Sequence, residues 1–331
     1  MSMITSSGRL PVAPPALKLV GRWWLLLLLI VAVGLFTLER PQMIEAGNLA
    51  TILRSASLTA VMVLGLNWVA AAGKIDVSFM QVAALANMTA AALLAGGAGW
   101  LPAGLAALAV GGLVGAVNGT LVGTARLSPL ITTIATGGIC ASAAAAIGRG
   151  TSIRIEDAGP IGELLAVNIG PVPLIAIGVA LLYLVAWWCQ EHLTFGRYVY
   201  ATAQNEEAAL EAGIPTGRLI LILYVLSGLF AAAAGVILVA SLSSGQPMIG
   251  ASYFIDGLTA VLVGGMMIRL GQPNVIGTLT AVLLLAALVS GGALLGWPDY
   301  QREIIKGALL ICGVALAVWM GRSRGHASGR S

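Results

Sequence analysis

Charged side chains are scarce in this sequence, and their scarcity excludes a soluble globular protein. Only 9% of the 331 residues are Asp, Glu, Lys or Arg, whereas 59% are hydrophobic. Soluble domains average about a quarter charged residues. With a mean hydropathy of +0.97, the chain has too few polar side chains to cover a surface in water. Lipid must therefore be the solvent for much of it.

Several chemical signatures are missing as well. No run of Lys or Arg forms a basic patch, which argues against nucleic acid as a partner. No G-x-x-x-x-G-K-[ST] loop is present, so ATP binding on this chain is not expected. The three cysteines, Cys140, Cys189 and Cys312, lie in apolar stretches without CxxC spacing, so we expect neither a disulfide nor a metal site. Without HExxH or a credible Ser/His/Asp set, an enzyme is not expected.

Long runs without charge are abundant, and they predict a polytopic all-α membrane protein. A membrane-spanning helix needs about 20 apolar residues, and the runs allow about ten crossings. Eleven of the 17 lysines and arginines then share a side with both termini, which places the termini in the cytoplasm by the positive-inside rule. We expect a cytoplasmic segment at 1–22, a transmembrane domain at 23–320 and a cytoplasmic tail at 321–331.

One polar, helix-forming segment interrupts this pattern. Residues 195–214 read FGRYVYATAQNEEAALEAGI and lie inside the predicted cytoplasmic loop 191–218. An asparagine followed by two glutamates favours a helix start, alanines extend the helix, and Gly213 ends it. The segment is either a simple connector or a docking element for a partner. The residues that define the predicted helix are Asn205, Glu206, Glu207, Ala208, Ala209 and Gly213.

The same segment carries a family resemblance. It shows an FGR-x-x-Y-A entry, an N-x-x-A-A helix and a G-I stop, followed by a helix with L-S-G-x-x-A-x-x-A-G. With GKIDVS at 73–78, GASYFIDGLTAVLVGG at 250–265 and REIIKGALLI at 302–311, the chain resembles the membrane subunits of bacterial ABC importers of the ribose, xylose, arabinose and galactose class. The resemblance covers most of the chain from about residue 50. Lys74 departs from it, because the family has glycine there, and so does the segment 264–278.

The resemblance implies partners and an energy source. The helix at 205–213 would be the coupling helix that docks on a separate ATPase subunit. ATP and Mg²⁺ would bind that subunit, so no cofactor is expected on this chain. A periplasmic sugar-binding protein would deliver a monosaccharide, and a second permease subunit, identical or not, would complete the pathway. The location would be the bacterial inner membrane.

Two further sets of residues are candidates for function. Polar side chains within the apolar runs are candidates for the translocation path, or they form hydrogen bonds between helices: Asn67, Asn118, Thr132, Thr133 and Thr136. Acidic residues in the predicted external loops, 149–170 and 243–256, are candidates for docking the binding protein, or they are simply solvated: Glu156, Asp157, Glu163 and Asp256. The polar stretch 149–163 is expected to be a surface loop.

Two rival functions stay open on sequence alone. An ion-gradient-driven secondary transporter would need ionisable residues at membrane depth, whereas Asp76 and Asp256 are the acids nearest the apolar runs and both are expected near their ends. A structural membrane scaffold would fit the 43 glycines, which allow tight helix packing, but it does not explain the capped helix.

Overall fold

The computed structural model describes residues 15–269 and 271–328. The predicted N-terminal segment 1–22 and tail 321–331 therefore lie partly outside the described residues, at 1–14 and 329–331. The described part is all-α apart from four two-residue strands. Its helices are α1 (Pro15–Glu39), α2 (Ala46–Ala71), α3 (Phe79–Ala95), α4 (Trp100–Gly123), α5 (Pro129–Ile147), α6 (Gly159–Ala166), α7 (Leu174–His192), α8 (Thr194–Gln204), α9 (Glu206–Glu211), α10 (Thr216–Leu242), α11 (Phe254–Gly264), α12 (Val275–Leu294) and α13 (Asp299–Ser328). The strands are β1 (Ile153–Arg154), β2 (Asn168–Ile169), β3 (Val172–Pro173) and β4 (Ser244–Gly245), and 3₁₀ turns cover Pro41–Ile44 and Ile249–Tyr253.

Seven of the described helices are long and apolar enough to cross a membrane. They are α1, α2, α4, α5, α7, α10 and α12, and α3 and the stretch Ile249–Gly264 are shorter apolar helices. These helices occupy the charge-free runs of the sequence, so the prediction of a polytopic all-α protein is confirmed. The count of ten crossings stays a prediction.

Small residues let α4 pack directly on α10 at the centre of the bundle. Gly111 and Gly115 of α4 lie against the backbone of α10, and a Cβ at either position would overlap the carbonyl oxygens of Gly228 and Tyr224. A glycine on every fourth position presents one smooth face of a helix, which permits such an approach. The pair forms the frame on which α2 and α3 also pack.

The connections gather at two ends of the bundle. At one end, which we name the α9 end, the Ile268 N–H donates to the Arg22 carbonyl at 3.1 Å, and Lys74 pairs with α9. At the opposite end, β1 pairs antiparallel with β4. Helices that cross a membrane in alternating directions place their connecting loops at two opposite ends, as is seen here. The assignment of the α9 end to the cytoplasm stays a prediction.

The connection between α2 and α3 turns back into the bundle, and we name it segment 73–78. The hydroxyl of Tyr224 donates to the Ile75 carbonyl at 2.7 Å, and Ser227 Oγ donates to Asp76 Oδ2 at 2.7 Å. Ser227 lies about 16 Å along α10 from its first residue, at about 1.5 Å per residue. Helix α3 starts at this depth and has only 17 residues, fewer than the ~20 that cross a bilayer.

Some boundaries differ from the sequence prediction. The expected loop 149–163 contains β1 and the start of α6, whose Leu165 is buried in the core. Helix α2 begins at Ala46 and therefore includes Arg54, a charged residue that donates from Nη2 to Asn168 Oδ1 at 2.9 Å. Helix α1 starts within the predicted N-terminal segment, and α13 continues past residue 320.

Candidate functional site

The helix predicted in the polar segment is present as α9. The Asn205 Oδ1 accepts a 3.0 Å hydrogen bond from the Ala208 N–H, and Glu206 and Glu207 occupy the first turn, where the helix dipole favours carboxylates. Gly213 follows with a φ of +86°, a left-handed conformation that glycine adopts without steric cost. The capped helix is confirmed, and its role in docking stays a prediction.

A second short helix, α8, directly precedes α9 in the chain and is packed against the bundle. Val199, Tyr200 and Thr202 form its buried face. Gly196 lies so close to the backbone of Gln190 that a Cβ would overlap it, so α8 folds back tightly on the end of α7. Helix α8 was not predicted from the sequence; the helical spacing of its buried residues was the available signal. Because α9 follows α8 after one residue, the packing of α8 anchors the start of α9.

The outward side of α9 combines acids with an apolar side chain. Ala209 is buried against the bundle, whereas Leu210 is 46% exposed. Glu207 and Glu211 flank it and are exposed. This side of α9 is exposed to solvent and is accessible to a partner.

A polar cavity of about 340 Å³ lies between α9 and the connection from α4 to α5. The charged and hydrogen-bonding residues that line it are Lys74, Arg126, Ser128, Asn205, Glu206 and Glu207. Lys74 Nζ lies 2.5 Å from Glu206 Oε2. This ion pair joins segment 73–78 to the first turn of α9.

Asp76 is the single acidic residue of segment 73–78, and it is buried. Its side chain is 2% exposed, and its oxygens accept hydrogen bonds from Ser78 and Ser227. Ser78 donates to Oδ1 from its backbone N–H at 2.9 Å and from Oγ at 2.6 Å. The expectation that this acid lies near the end of an apolar run is corrected, because segment 73–78 carries it inward to α10.

Three of the predicted path residues converge on this buried carboxylate. Asn118 of α4 donates from Nδ2 to Ser78 Oγ at 2.9 Å, and Thr136 of α5 donates to Asn118 Oδ1 at 2.7 Å. Thr133 accepts from the Val77 N–H at 3.1 Å. Their hydrogen bonds between elements are the alternative role considered from the sequence. Asn118, Thr133 and Thr136 thus form one polar cluster with segment 73–78, and their part in a translocation path stays a prediction.

The other two path candidates lie elsewhere. Thr132 is buried on α5, and its carbonyl accepts from the Thr136 hydroxyl at 3.1 Å. Asn67 of α2 is fully buried in a separate network, where its Nδ2 donates to Gln190 at 3.3 Å and its Oδ1 accepts from Thr278 at 2.8 Å. The five candidates therefore do not line one common surface.

The Asn67 network continues to the α9 end through Gln190. This side chain accepts from the Val275 N–H at 3.1 Å and donates to the Tyr200 hydroxyl at 2.9 Å. Arg269 stacks 4.6 Å from the Tyr200 ring centroid and pairs with Glu191 at 2.6 Å. Burial is the main cause that raises the pKa of the Tyr200 phenol above its ordinary value. The hydroxyl therefore stays protonated near neutral pH and can donate to Glu191 Oε1 and to the Pro273 carbonyl, each at 3.4 Å.

The predicted docking acids lie mainly at the end opposite α9. Glu156, Asp157 and Glu163 are exposed. The first two share with Arg154 the wall of a cavity of about 440 Å³ beside Trp100. Asp157 also accepts from the N–H of Gly159 at 2.8 Å, which orders the start of α6. These acids are accessible to a partner.

Asp256 does not fit the docking set. Its Oδ1 lies 2.9 Å from Lys306 Nζ, and that ammonium also pairs with Glu303 at 2.9 Å. The Asp256 side chain is only 18% exposed. Because the Asp256 carboxylate is already paired with Lys306 and is mostly buried, it is not available to bind a partner. We omit it from the proposed docking set.

Lys74, Asp76, Ser78, Gln190 and Ser227 were not among the predicted site residues. Lys74 stood out in the sequence as a departure from a family pattern, and Asp76 as an acid between two apolar runs. Ser227 lies in the quoted L-S-G pattern, which gave no indication of its partner, and Gln190 gave no local signal. A single polar residue in an apolar run shows neither its depth nor its partner.

Comparisons with known proteins agree with this architecture. Residues 48–314 match the family model described as "Branched-chain amino acid transport system / permease component". The chain is 32% identical to the ribose import permease protein RbsC of Bacillus subtilis, with 87% of this chain and 90% of the relative covered. It is 33% identical to RbsC of Escherichia coli K12, over 87% and 91%. It is 31% identical to the autoinducer 2 import system permease protein LsrD of Escherichia coli O9:H4, over 86% and 88%.

No solved structure matches the chain. The family match spans most of the described helices, from α2 into α13, and it includes α9 and segment 73–78. The resemblance inferred from the sequence motifs is thereby confirmed. The chain belongs to this permease family and is the transmembrane subunit of an ABC importer of the sugar-transporting type.

Proposed function

We propose that this subunit is driven by a separate ATPase that docks on α9. The observation that carries the proposal is the construction of α9. A six-residue helix is unstable in isolation, yet this one is capped at its start, followed by a left-handed glycine and packed on the bundle through the buried Ala209. A passive connector needs no such support. ATP and Mg²⁺ would bind the ATPase, which would push α9 as it closes.

We propose a small, uncharged monosaccharide as the cargo. Relatives that are similar over most of their length are named for ribose and for autoinducer 2. The amide and hydroxyl groups of Asn118, Thr133 and Thr136 suit a hydroxylated solute, because such groups exchange hydrogen bonds without burying a new charge. In this conformation Asn118 and Thr133 bind segment 73–78, and Thr136 binds Asn118. The sugar would replace these contacts when the segment moves.

The two ends of the bundle would face different compartments and therefore different partners. We propose that the α9 end faces the cytoplasm and that the opposite end faces the periplasm across the bacterial inner membrane. There, Glu156, Asp157 and Glu163 would meet basic residues of a periplasmic sugar-binding protein. A second permease subunit would complete the pathway, and α5 and α7 leave most of their surface free for it or for lipid.

Purification from native membranes, with associated chains retained, tests the proposal. We expect an ATPase and a second permease subunit to co-purify, and a separately isolated binding protein to carry the cargo. Reconstituted vesicles should take up labelled ribose or a related sugar only when the binding protein and ATP are both supplied.

The same vesicles distinguish the ion-gradient alternative. Asp76 is a buried acid of the kind that a proton relay requires, so this alternative has an observation in its favour. Uptake driven by an imposed proton or sodium gradient, without ATP, would contradict the proposed energy source. Uptake that ignores such gradients and follows ATP would support it.

A further inference from the structure

Segment 73–78 is held at its first residues by the two helices of the α9 end. Gly73, with a φ of +73°, packs on α8 so closely that a Cβ would lie 3.3 Å from the Ala203 Cα. The next residue, Lys74, forms the 2.5 Å ion pair with Glu206 of α9. The Lys74 and Glu206 side chains are only 21% and 32% exposed, so solvent screens the pair incompletely.

The rest of the segment is held by the membrane helices. The Ile75 carbonyl and the Asp76 carboxylate accept from Tyr224 and Ser227 of α10. The Val77 N–H donates to Thr133 of α5, and Ser78 Oγ accepts from Asn118 of α4. Every residue from 73 to 78 thus contacts one helix outside the segment.

The segment is also stiff. Asp76 Oδ1 accepts from both the N–H and the Oγ of Ser78, which closes a turn at the start of α3. Because the segment has only six residues and contains this turn, it cannot extend when its first residues move relative to its last. A shift of Lys74 would therefore move Asp76 and break or re-form its contacts with α10.

We propose that Lys74 is a positioning residue that transmits the movement of α9 through segment 73–78 to the polar cluster around Asp76 and Asn118. The inference rests on the proposed function, since it supposes that an ATPase moves α9.

The test uses the complete complex of permease, ATPase and binding protein in vesicles. It measures sugar taken up per ATP hydrolysed in wild type, Lys74→Met and Lys74→Arg. We expect Lys74→Met to assemble with the ATPase and to hydrolyse ATP, but to lower this ratio about 5- to 10-fold, within the range of ordinary coupling between sites. Lys74→Arg, which can keep the ion pair, should restore most of the ratio. Arg218→Met is the matched control, because it removes a positive charge at the α9 end that forms no ion pair within the described residues.

A double-mutant cycle with Glu206→Gln separates the ion pair from other roles of either residue. If the pair acts as one link, the Lys74→Met, Glu206→Gln double variant should have the ratio of the worse single variant. If the losses multiply, or if Lys74→Met keeps the wild-type ratio, the inference is overturned. Should Lys74→Met fail to insert, Glu206→Gln alone tests the link from the α9 side, and an unchanged ratio there overturns the inference as well. A wild-type complex without ATP-dependent uptake would instead contradict the proposed function.

Discussion

Ser227 of α10 donates a 2.7 Å hydrogen bond from its hydroxyl to Oδ2 of Asp76, although the two residues lie 151 positions apart in the chain. Both side chains are almost completely buried. The bond fixes segment 73–78 at a level well inside the bundle.

Removal of the Ser227 hydroxyl should destabilise the protein. Ser227→Ala leaves a buried carboxylate oxygen without a donor, which costs about 1–3 kcal/mol. We expect a lower free energy of unfolding, measured by denaturation of the purified subunit in detergent. Ser142→Ala is the control, because Ser142 is exposed on α5 and donates only to the Gly138 carbonyl of its own helix. Equal stability of the two variants would contradict the role of this bond.

A methyl group at Gly115 should disturb the packing of α4 on α10. Its Cβ would overlap the Tyr224 carbonyl oxygen, and overpacking of this kind costs about 1–3 kcal/mol. Gly115→Ala should therefore unfold at a lower temperature than wild type. Gly104→Ala on the same helix meets nothing within 4 Å and should be neutral or slightly stabilising. A destabilised Gly104→Ala would show that the effect is not one of packing.

Loss of the α9 cap should weaken the ATPase contact. Asn205→Ala removes the acceptor for the Ala208 N–H, and cap substitutions of this type cost about 1 kcal/mol. In a six-residue helix we expect this loss to appear as fraying, with less ATPase retained during purification. Asn205→Asp should behave like wild type, since aspartate caps about as well as asparagine. If the alanine variant retains the ATPase fully, the cap has no part in docking.

Charge reversal at the opposite end should slow capture of the binding protein. Glu156→Lys with Asp157→Lys changes the local charge by four units, and electrostatic steering at an interface rim acts mainly on the association rate. We expect about a tenfold slower association, with the difference shrinking as salt increases. Glu39→Lys with Glu45→Lys makes the same charge change on exposed residues of that end and should have a smaller effect. Identical rates for both pairs would remove Glu156 and Asp157 from the docking surface.

Local features of the sequence were sufficient for the class of protein, the position of its apolar helices and the capped helix α9. Hydrophobic run length is a property of consecutive residues, and the Asn205 cap and the Gly213 stop act within one or two helical turns. The motifs around 195–214 and 73–78 were likewise sufficient for the family. None of these features depends on how the helices pack.

Only the tertiary structure determined the depth of Asp76, the separation of Asn67 from Asn118 and the internal pairing of Asp256. It also joined Lys74 to Glu206 across 132 residues. Such contacts depend on which faces of the helices meet and on where a connection turns back into the bundle. In a chain this apolar nearly every helix face is hydrophobic, so the pattern of residues does not distinguish the face that meets protein from the face that meets lipid.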